Sequence, residues 1–257
     1  MPLVRGCLIE LFFAIIFLKR YLELFFLSNP ILFIRISVLY NSYIMIICTI
    51  DPGIRNFAIY VEKFNHNKLA MLAGSERKRI KGERKGKKGR YINQWFLDQV
   101  YLEGRSILAE VVDLIPGLPV KKNMNLARAR LMILLEDLRP VLDTCDAFFC
   151  ERQLRLNPSA QSIEHVCYSF LAATYLDNRI VSSVGANRKY YFLNCKSGMS
   201  KTQRKKWSPI IALEIMMKRG DDTMIDKLSC IKKKDDVADT VIIAQSIKYS
   251  VFFENTI

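Results

Sequence analysis

Four acids stand in three distant places of this 257-residue chain, each where a carboxylate is costly to place without a partner: Asp51, Glu151, and the pair Asp236 and Asp239. Asp51 ends an apolar run, Ile44 to Ile50, and is followed by Pro52-Gly53. Glu151 ends a second run, Ala147 to Cys150. Asp236 and Asp239 open a third apolar segment at i, i+3, so on a helix they share one face. An acid at the mouth of a buried strand needs a partner, a hydrogen bond or a metal ion. Four of them gathered together would repel one another, and hard divalent cations remove that repulsion. Two such cations about 3.5–4 Å apart suit in-line attack of water on a phosphodiester, one acidifying the water and the other stabilising the leaving 3′-oxygen. Each acid also has an ordinary reading. Asp51 could be a turn residue, Glu151 could pair with Arg152 or Arg155, and Asp235 and Asp236 could favour a helix N-terminus through its dipole.

The composition favours a polyanionic partner. The formal net charge is +14 and the pI about 9.5, a field that attracts nucleic acid or an acidic membrane surface. Two stretches concentrate the charge, Ser75 to Arg90 and Lys196 to Lys206. Lys201, Arg204, Lys205 and Lys206 are candidates for the phosphates flanking a cut; the alternative is a solvated helix start. Arg152 is a similar candidate, and Arg55 with Asn56 holds either the first turn or a phosphate. Tyr190, Tyr191 and Phe192 are expected to be buried, with base stacking as the alternative. The seven cysteines are scattered, with no C-x-x-C pair, which points to free thiols in a reducing compartment. The only two histidines, His66 and His165, lack the spacing of a zinc site, and neither is taken as a ligand.

Positioning these residues requires a sheet. Ile44–Ile50 and Phe57–Lys63 read as a hairpin across the Asp51-Pro-Gly turn, with Leu69–Leu72 as a third strand. Ser75 to Arg90 is charged and Gly-rich and reads as a mobile loop. Tyr91–Leu114 reads as helical in part. Residues 125–138 form a helix ended by Pro140, Ala147–Cys150 a strand, Ser162–Leu176 a helix and Ile180–Val184 a strand. Helices follow from about Ser208 to Lys218 and from about Lys233 onward. A hairpin meander followed by β-α-β predicts an α/β fold: a mixed sheet with helices on both faces.

Residues 1–43 differ from the rest. Their two apolar stretches are interrupted by Glu10, Lys19-Arg20 and Arg35, and neither is long enough to span a bilayer cleanly. Three readings are open: a membrane-associating anchor, an extra helical layer, or upstream codons not normally translated. Met45 stands at the beginning of the first strand as a sensible start. The third reading is the expectation, with the segment outside the core and the domain running from 44 to 257.

Three stretches together carry a resemblance: Ile50-Asp51-Pro52-Gly53-Ile54-Arg55-Asn56-Phe57-Ala58, Cys150-Glu151-Arg152-Gln153, and Lys233-Lys234-Asp235-Asp236-Val237-Ala238-Asp239-Thr240. They resemble the motifs of RuvC-like Holliday junction resolvases, in the form found in poxviruses and other large DNA viruses. The resemblance runs from Met45 to about Tyr249. It implies an RNase H-like five-stranded sheet, a homodimer, two Mg²⁺ per subunit with Mn²⁺ as substitute, and paired symmetric nicks across a four-way DNA junction that leave 5′-phosphates. By it Asp51, Glu151, Asp236 and Asp239 carry over as catalytic metal ligands. Asp235 competes with Asp236, which the D-x-x-D pattern selects. It further implies an intracellular setting, the host cytoplasm or nucleus for a viral protein. The stretch from about 75 to 122 is longer than the family's usual connection, and residues 1–43 have no counterpart. Other RNase H-like nucleases, acting on RNA–DNA hybrids or as transposases, and a non-catalytic nucleic-acid binder are the competing readings.

Overall fold

A computed structural model describes residues 44–83, 93–154, 156–186, 200–231 and 233–254. Five strands form one sheet: β1 (Ile44–Pro52), β2 (Phe57–Asn65), β3 (Arg105–Val112), β4 (Ala147–Arg152) and β5 (Ile180–Gly185). Their order is β3-β2-β1-β4-β5. The first three pair antiparallel, whereas β4 runs parallel to β1 and β5 parallel to β4. The described helices are α1 (His66–Glu83), α2 (Gln94–Leu102), α3 (Met124–Asp137), the short α4 (Arg139–Leu142), α5 (Pro158–Tyr175), α6 (Lys201–Arg219), α7 (Asp222–Cys230) and α8 (Lys234–Tyr249). The result is the mixed five-stranded α/β sheet expected of an RNase H-like domain.

Strand alternation assigns the two faces. Cys48, Ile50, Ile59, Val61, Phe148 and Cys150 turn one way, onto Leu131 and Leu135 of α3 and Ile163, Cys167 and Leu171 of α5. Thr49, Tyr60 and Glu62 turn the other way. There Thr49 bonds to Thr240 of α8, and Glu62 to Arg219 of α6 and Gln245 of α8. Both faces are therefore covered, and the central strands read as nearly continuous apolar runs. Cys48, Cys145, Cys150 and Cys167 are free buried thiols, while Cys230 is free and exposed.

Three expectations about elements are corrected. Leu69–Leu72 is not a strand: it lies in α1, where His66, Leu69, Ala73 and Glu76 are buried at helical spacing. A four-residue apolar run is too short to separate a period of 2 from one of 3.6. The same helix continues through Glu83, so the first part of the charged 75–90 stretch is helical rather than loop. The third strand is β3, at Arg105–Val112, where it pairs with β2 through a bulge at Val61/Glu62. Helix α6 begins at Lys201 rather than Ser208. Ser200 caps it with a reciprocal pair: Gln203 N–H donates to Ser200 Oγ, and Ser200 N–H to Gln203 Oε1. Among the described residues no helix is long and apolar enough to cross a membrane.

Candidate metal centre

The register of β1 on β4 brings the first two acids together. Ile50 lies opposite Cys150 in the parallel pair, so Asp51 and Glu151, one residue further along, leave neighbouring strands side by side at their carboxyl ends. Both fall on the alternation of Thr49, the face that α8 covers. Helix α8 is fastened there by a buried bond, Thr49 Oγ1 donating to the Thr240 carbonyl at 2.9 Å. Val237, Ala238 and Val241 are fully buried beside it. That docking presents Asp239, the residue before Thr240, to the strand ends. Asp51, Glu151 and Asp239 each offer a carboxylate oxygen within 4.8 Å of the other two. Glu151 is buried, and the two aspartates are half-buried.

The turn after Asp51 is tightly built. Gly53 N–H donates to the Asp51 carbonyl at 2.9 Å. A Cβ added at Gly53 would sit 2.5 Å from the Asn56 carbonyl oxygen, so the turn closes only around glycine. Gln153 holds the Asp51 carboxylate from the side, its amide donating to Oδ1 at 3.1 Å. Gln153 is itself fixed by its backbone N–H, which donates to Glu164 Oε2 on α5 at 2.7 Å. Sequence reasoning quoted Gln153 only as part of a motif and missed Glu164 and Thr49. Glu164 sits mid-helix, 11 residues past Gln153 in the chain. No local pattern marks it as the partner of a loop amide.

The remaining sequence candidates are distributed as follows. Asp236 is not one of the three converging carboxylates. It is half-buried alongside, and burial, reinforced by the neighbouring Asp235 charge, pushes its carboxyl up to about 6. Asp235 is engaged elsewhere, accepting from Lys205 Nζ at 2.9 Å. That bond, with the Asp236 and Asp239 charges behind it, raises the Lys205 ammonium above its ordinary range. Lys205 is therefore tied to the acid-bearing end of α8, while its neighbour Lys206 is exposed and Arg204 half-buried. Lys201 opens α6, and its side chain lies outside the described residues. Arg152 is exposed and donates to Ser183 Oγ at 3.3 Å on β5. The Arg55 guanidinium donates to Asp113 at 3.2 Å, to the Ile115 carbonyl at 2.6 Å and to the Leu118 carbonyl. It ties the first turn to the segment that follows β3. His165 is exposed on α5. Arg155, Tyr190, Tyr191 and Phe192 lie outside the described residues.

One feature of the rim had no sequence-level reading. Leu154 is 70% exposed and Leu156 94% exposed, three and five residues beyond Glu151. Both lie on the segment that leads from β4 to α5.

The donor set fits a hard divalent cation. Three carboxylate oxygens converge, one of the three residues is buried, and a fourth acid beside them is disfavoured in its charged form.

No protein-family model matches the chain. Uncharacterized protein 97L of Invertebrate iridescent virus 3 is 31% identical over 102 residues, which are 40% of this chain and 47% of that protein. The chain thus matches about half the length of this relative. Among solved structures, Thermus thermophilus RuvC aligns over 80% of this chain and 95% of its own, at 18% identity and a TM-score of 0.42. The same protein in complex with a Holliday junction substrate gives 0.39, at 18% identity over 80% and 94% of the two chains. The yeast mitochondrial Holliday junction resolvase Ydc2 gives 0.47, at 13% identity over 81% of this chain and 82% of its own.

Proposed function

We propose that this protein is a Mg²⁺-dependent, structure-selective endonuclease that resolves four-way DNA junctions by paired symmetric nicks, working as a homodimer on branched intermediates of viral DNA recombination inside the host cell. The convergence of Asp51, Glu151 and Asp239 from three distant segments carries the reading. The three-motif resemblance and the net charge of +14 support it.

In this reading Asp51, Glu151 and Asp239 hold Mg²⁺, with Asp236 beside them, and Mn²⁺ can substitute. The bound metal supplies Lewis acidity: it acidifies water and offsets charge on the scissile phosphate and leaving oxygen. The chain's own residues do the rest. Gln153 fixes the rotamer of Asp51. Thr49 and Thr240 hold α8 over the strand ends. Lys205, Lys206 and Arg204, on the first two turns of α6, attract the phosphates on either side of the cut. Leu154 and Leu156 offer an apolar surface to bases exposed at the open centre of a junction, as apolar side chains do at unstacked steps.

The test is a cleavage panel in Mg²⁺ with a four-way junction, an RNA–DNA hybrid and a linear duplex of matched sequence. Paired incisions in the junction, with the other two left intact, are expected. Preferential cutting of the hybrid would replace this reading with a ribonuclease H-type activity. Tight junction binding with no cutting in any divalent metal would reduce it to a binding protein.

A further inference from the structure

Helix α8 carries Asp239, yet it has no amphipathic stripe to fix its rotation. Every residue from Thr240 to Tyr249 is buried. A helix apolar on one face is oriented by that face, whereas a helix buried all round is not. At 3.6 residues per turn, a one-residue slip turns Asp239 by about 100° and carries it away from Asp51 and Glu151. Something other than apolar burial must set the register.

The buried face of the sheet supplies directional contacts. Glu62 on β2 is fully buried and collects charges and amides from two helices. Arg219, the last residue of α6, donates to Glu62 Oε2 at 2.7 Å. Lys248 of α8 lies 2.8 Å from Glu62 Oε1. Gln245 of α8 donates to both Glu62 oxygens, at 3.3 and 3.2 Å, and accepts from Arg219 at 2.8 Å. Lys248 also donates to the Glu103 carbonyl at 2.7 Å, and Arg219 to the Tyr101 carbonyl at 2.7 Å. The three charged side chains are 0–1% exposed.

Burying three ionisable groups in this way is not the stabilising choice. Apolar groups of the same volume usually do as well or better, because desolvation cancels much of the attraction. What the charges add is direction: Glu62 can accept from Gln245 and Lys248 together in only one register of α8. Those two residues stand six and nine positions beyond Asp239, about 9 and 14 Å along the helix.

We propose that the Glu62–Arg219–Gln245–Lys248 network is a register key for α8, and that Gln245 and Lys248 are positioning residues for the carboxylate site although neither reaches it. The link to metal rests on the reading of Asp51, Glu151 and Asp239 as ligands; the register claim does not.

The experiment uses the full chain with Gln245→Leu and Lys248→Met combined. This variant removes both contacts of α8 with Glu62, leaves the bonds at Thr240 and Tyr249 in place, and keeps the Glu62–Arg219 pair intact, so no charge is stranded. Mn²⁺ is titrated calorimetrically, the α8 amides are followed by NMR, and Asp51→Asn serves as control. The variant is expected to stay folded, to lose at least tenfold in Mn²⁺ affinity and to show doubled or broadened α8 amide signals. Asp51→Asn is expected to lose Mn²⁺ with a single set of α8 signals, which separates a missing ligand from a misplaced one. A folded variant with one set of α8 signals and wild-type Mn²⁺ affinity would overturn the proposal. Should the wild type bind no Mn²⁺, the metal reading fails and the amide signals alone decide the register. Should the double variant not fold, Gln245→Leu by itself is read by the same two measurements.

Discussion

Gly53 leaves no space for a side chain, because the Asn56 carbonyl closes over it. Backbone, not a movable side chain, is what a methyl group there would meet. The Asp51 turn would have to open, and Asp51 with it. Gly53→Ala is expected to cost about 1–3 kcal/mol of stability and to weaken Mn²⁺ binding beyond what unfolding explains. Thermal melts paired with a Mn²⁺ titration check this, and undiminished affinity would show that the turn does not position the acid. At this scale much was legible beforehand. Asp51, Glu151 and Asp239 announce themselves because each stands at the end or the start of an apolar segment, where an acid is expensive. Asp236 was selected by the same spacing rule, but it sits beside the converging three rather than among them. Spacing places two residues on one helix face without saying which points further inward. Gln153 and Glu164 were not recognisable as a support, since their contact is made by a loop folding back on a helix.

The elements were legible where their apolar patterns are long. β1, β2, β4, β5, α3 and α5 fall within a few residues of the expected bounds. Failures came where an apolar run is short or only partly buried. Leu69–Leu72 could be placed in either period, and β3 has only one fully buried residue, Ala109. The basic stretch at Lys201–Lys206 reads as leading into a helix from about Ser208, because the signal that starts the helix earlier, the Ser200 and Gln203 capping box, is polar. The buried network under α8 was invisible too: Glu62 stands beside Lys63 in the more polar half of β2, and Lys248 reads as a surface residue near a helix end. The network has a measurable consequence. Burial lowers the Lys248 ammonium from 10.5 to about 7, against the upward pull of Glu62. Between those values the unfolded chain carries a proton that the folded one lacks, so Lys248 makes stability rise with pH through that window. Urea unfolding at pH 7, 8 and 9 is expected to give a steeper rise for the wild type than for Lys248→Met. Parallel profiles would mean that Lys248 keeps its proton in the folded state.

For the molecule as a whole, the relevant quantity is its excess of positive charge. A net +14 draws in any polyanion, so affinity alone says little about the substrate. Salt dependence says more. Lys205 lies close to the acids through its bridge to Asp235 at 2.9 Å, and Lys206 follows it on α6. Changing both to Ala is expected to weaken junction binding and to flatten the slope of log affinity against log salt by about 1–2. An unchanged slope would remove them from the phosphate-contacting surface. The most direct trial of the account is the rate of four-way junction cleavage in Mg²⁺ by the wild type and by Asp51→Asn, each with its junction affinity measured alongside. The account predicts paired nicks by the wild type, and for Asp51→Asn a fall of at least a hundredfold with binding retained or strengthened as a negative charge leaves the acidic cluster. Equal cleavage by both proteins, or none by the wild type in Mg²⁺ or Mn²⁺, would contradict it.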